Sequence, residues 1–186
     1  DQDDSHSGFV SRGVGVSPYD GLVIDGDYIK SEAQAGRMSQ MLYAVAIRKS
    51  SGERTFRAPS DADVAALAAA DAEFAKLRPG WQVSGNLPQG AIPAGLKTSE
   101  PLRYGMNDWL DMFTPRQALV HGTFSDEFRK ITSEVREALG NDLADAVLFE
   151  LALMQGKAIN YNSRLSFWHT PRQTMGNVFS KHDFAF

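Results

Sequence analysis

The chain contains no cysteine, which excludes disulfides and thiolate metal sites and suits a reducing compartment. Its four histidines, His6, His121, His169 and His182, nowhere pair at ligand spacing on a helix, so no structural metal site is expected. No apolar run approaches the roughly 20 residues of a membrane span, and no charged, apolar and small-residue leader opens the chain. The expectation is a soluble, cytoplasmic protein without membrane contact. Phosphate-binding lysine loops, His-Glu-x-x-His and Gly-x-Ser-x-Gly are all missing. Gly13-Val14-Gly15 lacks the third glycine and the preceding apolar strand of a dinucleotide loop.

What is present is enough chain for one domain with a real core: 186 residues, 42% of them hydrophobic. The chain begins at Asp1 and stops at Asp183-Phe184-Ala185-Phe186, inside an apolar pattern. It therefore reads as a piece of a larger protein. The net charge of -4 argues against a generic nucleic-acid binder, but its distribution is uneven. Residues 1 to 30 carry six Asp against Arg12 and Lys30, whereas residues 155 to 186 carry Lys157, Arg164, Arg172 and Lys181 against Asp183. Local fields outweigh the sum.

Residues 1–12 are polar and aperiodic and read as a mobile arm. Residues 13–186 read as a single domain fragment of α+β class, mainly helical. Within it, 13–58 form a small antiparallel sheet region, with strands over Leu22–Ile29 and Met41–Arg48 and a hairpin at 41–58. The helical region, 59–186, opens at Ser60-Asp61-Ala62-Asp63, where acidic residues meet the positive end of the dipole. A helix is expected over 61–77, ended by Pro79-Gly80, followed by a long irregular loop at 78–108.

Thr114-Pro115-Arg116-Gln117 is a capping box with proline at the first helical position. It opens a helix with Val120, Phe124, Phe128, Ile131, Val135 and Leu139 on one stripe. Gly140-Asn141-Asp142 breaks that helix and starts another, striped by Leu143, Val147, Leu151, Met154 and Ala158. A long antiparallel helical hairpin follows, with Phe128 in its core. Thr-Pro-Arg-Gln returns at 170–173 and reads as the same cap used again to open a short helix.

Asp108, Asp111, Asp126, Glu127, Glu134 and Glu137 are the notable carboxylates, and the last four fall on the polar face of the first hairpin helix. They read as a solvated face, not an acid/base pair. Tyr104, Trp109, Phe113, Tyr161, Phe167, Trp168 and Phe179 read mainly as core. Tyr161-Asn162-Ser163-Arg164 and Trp168 to Arg172, however, mix rings, an amide and guanidinium groups, which suits nucleic-acid contact.

Four stretches carry a family resemblance: DYIKSEAQAGRM (27–38), LRYGMNDWLDMFTPRQAL (102–119), NYNSRLSFW (160–168) and NVFSKHDFAF (177–186). In order and spacing the chain resembles the middle of the large bacterial adenine-specific DNA methylases that carry a zinc ribbon and an N-terminal domain of unknown function. The resemblance implies S-adenosylmethionine and DNA as the parent's cofactor and substrate, with a base flipped into a pocket elsewhere. It places the cofactor glycine motif upstream and the Asp-Pro-Pro-Tyr motif downstream, and no two prolines are adjacent here. No catalytic residue, cofactor or metal is therefore expected in this segment. The family's Cys-Pro-x-Cys-Gly knuckle falls on Ser17 to Gly21, so the knuckle is expected to survive only as a turn.

Two roles follow for the segment. One is DNA target recognition through Arg103, Arg116, Asn162, Arg164, Trp168 and Arg172. The other is bracing of the parent's remaining domains without nucleic-acid contact. Arginines on one exposed face favour DNA; arginines paired with Asp108, Asp111 or Glu150 favour bracing.

Overall fold

Thr114 Oγ1 accepts the amide of Gln117 at 3.1 Å, while Gln117 Oε1 accepts the amide of Thr114 at 3.0 Å. This reciprocal cap opens the central helix, α4 (Pro115–Leu139), which Gly140 separates from the antiparallel α5 (Asn141–Tyr161). In this computed structural model, which describes residues 9–11, 13–96 and 98–178, the fold is α+β and mainly helical. Most of the expected N-terminal arm, Arg12 included, lies outside the described residues, as do Phe179, Lys181 and the last stretch of the family resemblance beyond Val178.

Ahead of α4 runs α2 (Asp61–Ser84), opened by Ser60 and Asp63 in a second reciprocal cap. Helix α4 packs on α2 along one side and on α5 along another. The stop expected at Pro79-Gly80 does not occur: Pro79 sits inside α2, which continues to Ser84 and ends at left-handed Gly85, φ 70°. An interior proline costs about 3 kcal/mol. The extra turn buries Trp81, 7% exposed, with Phe74, Leu87 and Ala118, and an indole buried this well is worth about 3–5 kcal/mol. Packing therefore outweighs propensity.

The continuation of α2 shortens the irregular segment expected at 78–108. Helix α3 (Ser99–Arg103) and a 3-10 turn at Trp109–Met112 lie within or just beyond it. Ile92 donates its amide to Asn107 at 2.7 Å and Trp109 donates to Gly90 at 3.1 Å, so the segment is tied to itself.

The hairpin stripes are also corrected. On α4 the buried residues are Gln117, Ala118, His121 and Gly122; Phe128 is half-buried, stacked on Phe124 at 6.1 Å, while Val120 and Leu139 are exposed. On α5 Val147 and Leu151 of the expected stripe are half-buried, but the most deeply buried positions are Ala144 and Leu148, while Leu143 and Met154 face outward. Small Ala144 permits close helix approach, and α5 is apolar on more than one face, so its pattern alone does not select the inner one.

The expected small N-terminal antiparallel sheet is present, and among the described residues two further antiparallel pairs lie apart from it. Strands β1 (Val10–Ser11), β2 (Val14–Val16) and β3 (Val23–Ile24) form the N-terminal sheet, with Gly15 opposite both Val10 and Ile24. The strand expected over Leu22–Ile29 stops early because Asp25 accepts the Asp27 amide at 2.8 Å and caps α1 (Gly26–Gln34). The expected hairpin is confined to β4 (Val45–Arg48) and β5 (Arg54–Arg57) and is a sheet of its own. Strands β6 (Phe167–His169) and β7 (Thr174–Gly176) form another.

The second Thr-Pro-Arg-Gln does not open an α-helix. It makes a 3-10 turn between β6 and β7, capped not by Thr170 but by His169 Nδ1, which accepts the Arg172 amide at 3.3 Å. Gln173 then takes φ 46°, a left-handed conformation that a helix does not continue through.

Candidate functional site

The first three resemblance stretches converge on one packed unit. Gln34 of α1 donates its side-chain amide to the Arg103 carbonyl at 3.2 Å. Gly105, at φ 74°, lets the chain pass so close to α1 that a Cβ there would stand 3.2 Å from Gln34 Cα and closer still to the Ala33 carbonyl. Arg164 donates its backbone amide to Met112 O at 2.8 Å and its Nη1 to Asp111 O at 3.0 Å. Around these contacts Ile92, Met106, Met112, Leu165 and Val178 form a core flanked by Trp109 and Phe113. Motif residues at 102–119 and 160–168 thus hold each other.

The arginines divide accordingly. Arg103 is ion-paired with Glu100 on its own helix. Arg164 is half-buried, and burial lowers its pKa while the Asp111 carboxylate opposes that shift. The Arg116 side chain, exposed at the start of α4, makes no hydrogen bond or ion pair among the described residues. It shares a groove with Arg164, Asp71, Met41 and Leu67. The Arg172 side chain is likewise without a partner among the described residues, and it stands at the β6–β7 turn, whose Arg172 and Gln173 carbonyls accept from Arg54. Asn162 ends α5 and offers its carbonyl to His121 Nε2 at 3.0 Å.

Trp168 meets Phe56 edge to face at 5.5 Å, tying β6 to β5. Lys157 Nζ lies 5.0 Å over the ring of Tyr161. Of the six residues expected at a DNA interface, Arg103, Asn162 and Arg164 are engaged within the fold, Trp168 partly so, and Arg116 and Arg172 present unpaired charges. Arg116 and Arg164 line a common groove.

In the Ser17–Gly21 turn both Ser17 and Asp20 accept backbone amides. Ser17 Oγ accepts the Tyr19 amide at 3.3 Å and Asp20 Oδ1 accepts the Leu22 amide at 3.2 Å. The Ser17 hydroxyl and the Leu22 amide together lower the Asp20 pKa. Among the described residues no three His, Asp or Glu side chains are grouped to hold a metal ion. No helix among the described residues is long and apolar enough to cross a membrane.

A feature absent from the sequence reading is a cavity of about 430 Å³ where the C-terminal end of α2 meets α4 and α5. Leu87, Trp109, Leu110, Phe113 and Ile159 supply apolar walls, and Asn86, His121, Ser125, Gln155 and Ser163 supply polar groups. Its polar residues lie far apart in sequence, so no local motif announces it. The one legible signal is His121 in an otherwise apolar stretch of α4.

Searches against family models, curated proteins and solved structures find no match to this chain.

Proposed function

We propose that the chain is a non-catalytic segment of an S-adenosylmethionine-dependent, adenine-specific DNA methylase, and that its main role is to brace the parent's other domains. The family assignment rests on the resemblance of the four sequence stretches. The bracing role rests on surface. The chain exposes 13058 Å², against about 8,800 Å² for a compact monomer of its 20.4 kDa mass. Allowing the 18 residues outside the description the exposure of an unfolded chain, about 2,900 Å², still leaves about 2,000 Å² above a compact monomer of the remainder. That excess is larger than one side of a standard protein interface, about 800 Å². Much of it is apolar: Tyr19 is 92% exposed, and Met41 and Tyr43 are each 78% exposed.

Engagement of Arg103 and Arg164 within the fold supports bracing over broad DNA contact. Arg116 and Arg172 favour a second, weaker role as phosphate contacts, since unpaired guanidinium groups suit the backbone of nucleic acid. S-adenosylmethionine would be held by the parent outside this segment.

The gene read outward from this segment tests the assignment: a glycine-rich cofactor motif upstream and Asp-Pro-Pro-Tyr downstream are expected, and their absence from the reading frame overturns it. Bracing is tested by co-expression with those flanking regions. Met41→Glu with Tyr43→Glu should leave the isolated chain's stability unchanged and weaken its association with them; undiminished association overturns bracing through this surface. Titration of fluorescent duplex DNA at several salt concentrations tests the weaker role. Binding should fall as salt rises and be lost in Arg116→Glu, Arg172→Glu. Equal binding by that variant removes the DNA contact.

A further inference from the structure

Helix α5 packs on α4 and carries an uncovered apolar face on its outer side. Phe149 is 62% exposed and Leu153 52%. Ala146 is exposed on the same side, and a Cβ on Gly156 would meet nothing within 4 Å. Ala146, Phe149, Leu153 and Gly156 follow one another at intervals of three, four and three positions, the spacing of a seam along which two helices pack. A helix with apolar groups on opposite sides is ordinarily covered on both, and contiguous exposed apolar surface marks an interaction site.

Charge selects what covers this face. Glu150 and Lys157 directly follow the seam residues Phe149 and Gly156, so they flank the seam on one side. Both are exposed and neither has an ion-pair partner among the described residues; Lys157 Nζ lies 5.0 Å over the Tyr161 ring. Their separation of seven positions places them about 10 Å apart along the axis and within about 20° of each other around it. Asp145, on the other flank, is already paired with Arg136. One free carboxylate and one cation at this separation make the face complementary to itself. When a second α5 is turned end for end about a twofold axis between positions 153 and 154, each Glu150 meets Lys157 of the other copy, and the ion pair forms twice.

We infer that α5 is a self-association surface through which two copies of this chain pair, antiparallel and about a twofold axis, with Leu153 at the centre and Glu150–Lys157 pairs at the rim. A contact from Ala146 to Tyr161 is about 24 Å long, shorter than a standard interface, so the dimer is weak and half-dissociates at about 10–100 µM. The inference does not depend on the methylase reading, because it uses no nucleic acid and none of the residues offered for bracing.

Sedimentation equilibrium of the full chain, over that concentration range and tenfold beyond it on either side, should fit a monomer–dimer equilibrium. Leu153→Glu should abolish association. Glu150→Lys and Lys157→Glu should each weaken it about five- to tenfold, since two attractive pairs become repulsive. An equimolar mixture of those two variants should regain wild-type association as a heterodimer, because every Lys then faces a Glu. All three positions are exposed, so the variants should keep the wild-type circular dichroism. A wild type that is monomeric throughout, association that survives Leu153→Glu or both charge reversals, or a mixture no tighter than its components would overturn the proposal. Coverage of α5 by another domain of the parent gives the first of those results. Met41 and Tyr43 lie outside α5, so the bracing test and this one fail independently.

Discussion

Trp81 of α2 packs its six-membered ring onto Gly122 of α4, leaving no space for a side chain: a Cβ on Gly122 would stand 3.1 Å from Trp81 Cη2 and closer still to Cε3 and Cζ3. The contact joins the two longest helices and explains why α2 continues past Pro79. A helix interior ordinarily favours alanine over glycine by about 1 kcal/mol, so glycine here answers to packing.

Gly122→Ala should therefore destabilise the chain, by about 1–3 kcal/mol, since overpacking outweighs the propensity gain. Gly156→Ala on α5 is the internal control, because a Cβ there meets nothing within 4 Å. It should stabilise by about 0.5–1 kcal/mol. Urea denaturation of both variants checks the pair. Equal effects would mean that the ring does not lie on Gly122.

Asp63 gives a pH dependence of known sign. Its carboxylate accepts from Arg57 at 2.5 Å and 3.0 Å and from the Ser60 amide at 2.8 Å, and these partners, Arg57 first, hold its pKa far below its ordinary 3.8. A depressed folded pKa means that the stabilisation is complete above the unfolded value and is lost as pH falls towards the folded one. Urea midpoints of the wild type should therefore fall between pH 4 and pH 2 by more than those of Asp63→Asn, which keeps an acceptor for the cap but has no charge to titrate. Parallel acid limbs in the two proteins would show that the pair contributes nothing.

The capped starts of α2 and α4 were legible in sequence because a cap is local chemistry: Ser60 with Asp63 and Thr114 with Gln117 each meet three positions apart. The phase of α5 was not legible, because Leu143 and Met154 are as apolar as the buried Leu148 and only the partner helix distinguishes them. For the same reason Phe128 read as core although it is half-buried. The cavity depends on pairs such as Asn86 with Asp126 and His121 with Asn162, about 40 positions apart, and no spacing rule reaches that far. The second Thr-Pro-Arg-Gln misled because identical residues meet different neighbours: His169, not Thr170, supplies the acceptor.

Arg164 separates a structural arginine from a binding one. Its Nη1 and backbone amide join the end of α5 to the 3-10 turn before α4, whereas Arg116 in the same groove makes no such bond. Arg164→Ala should cost about 1–3 kcal/mol, as expected when a charged donor is removed from a half-buried carbonyl. Arg116→Ala, a surface change, should stay within about 0.5 kcal/mol of wild type. Arg164→Met retains much of the aliphatic stem while removing the donor, so a loss close to that of Arg164→Ala assigns the effect to the hydrogen bond and not to packing. The same variants divide any DNA affinity: Arg116→Ala should lower it in a fully folded protein, whereas Arg164→Met should lower it only as far as the folded fraction falls. Urea midpoints and DNA titrations on one set of samples measure both. A stable Arg164→Met that has lost DNA binding would move Arg164 from the scaffold to the interface.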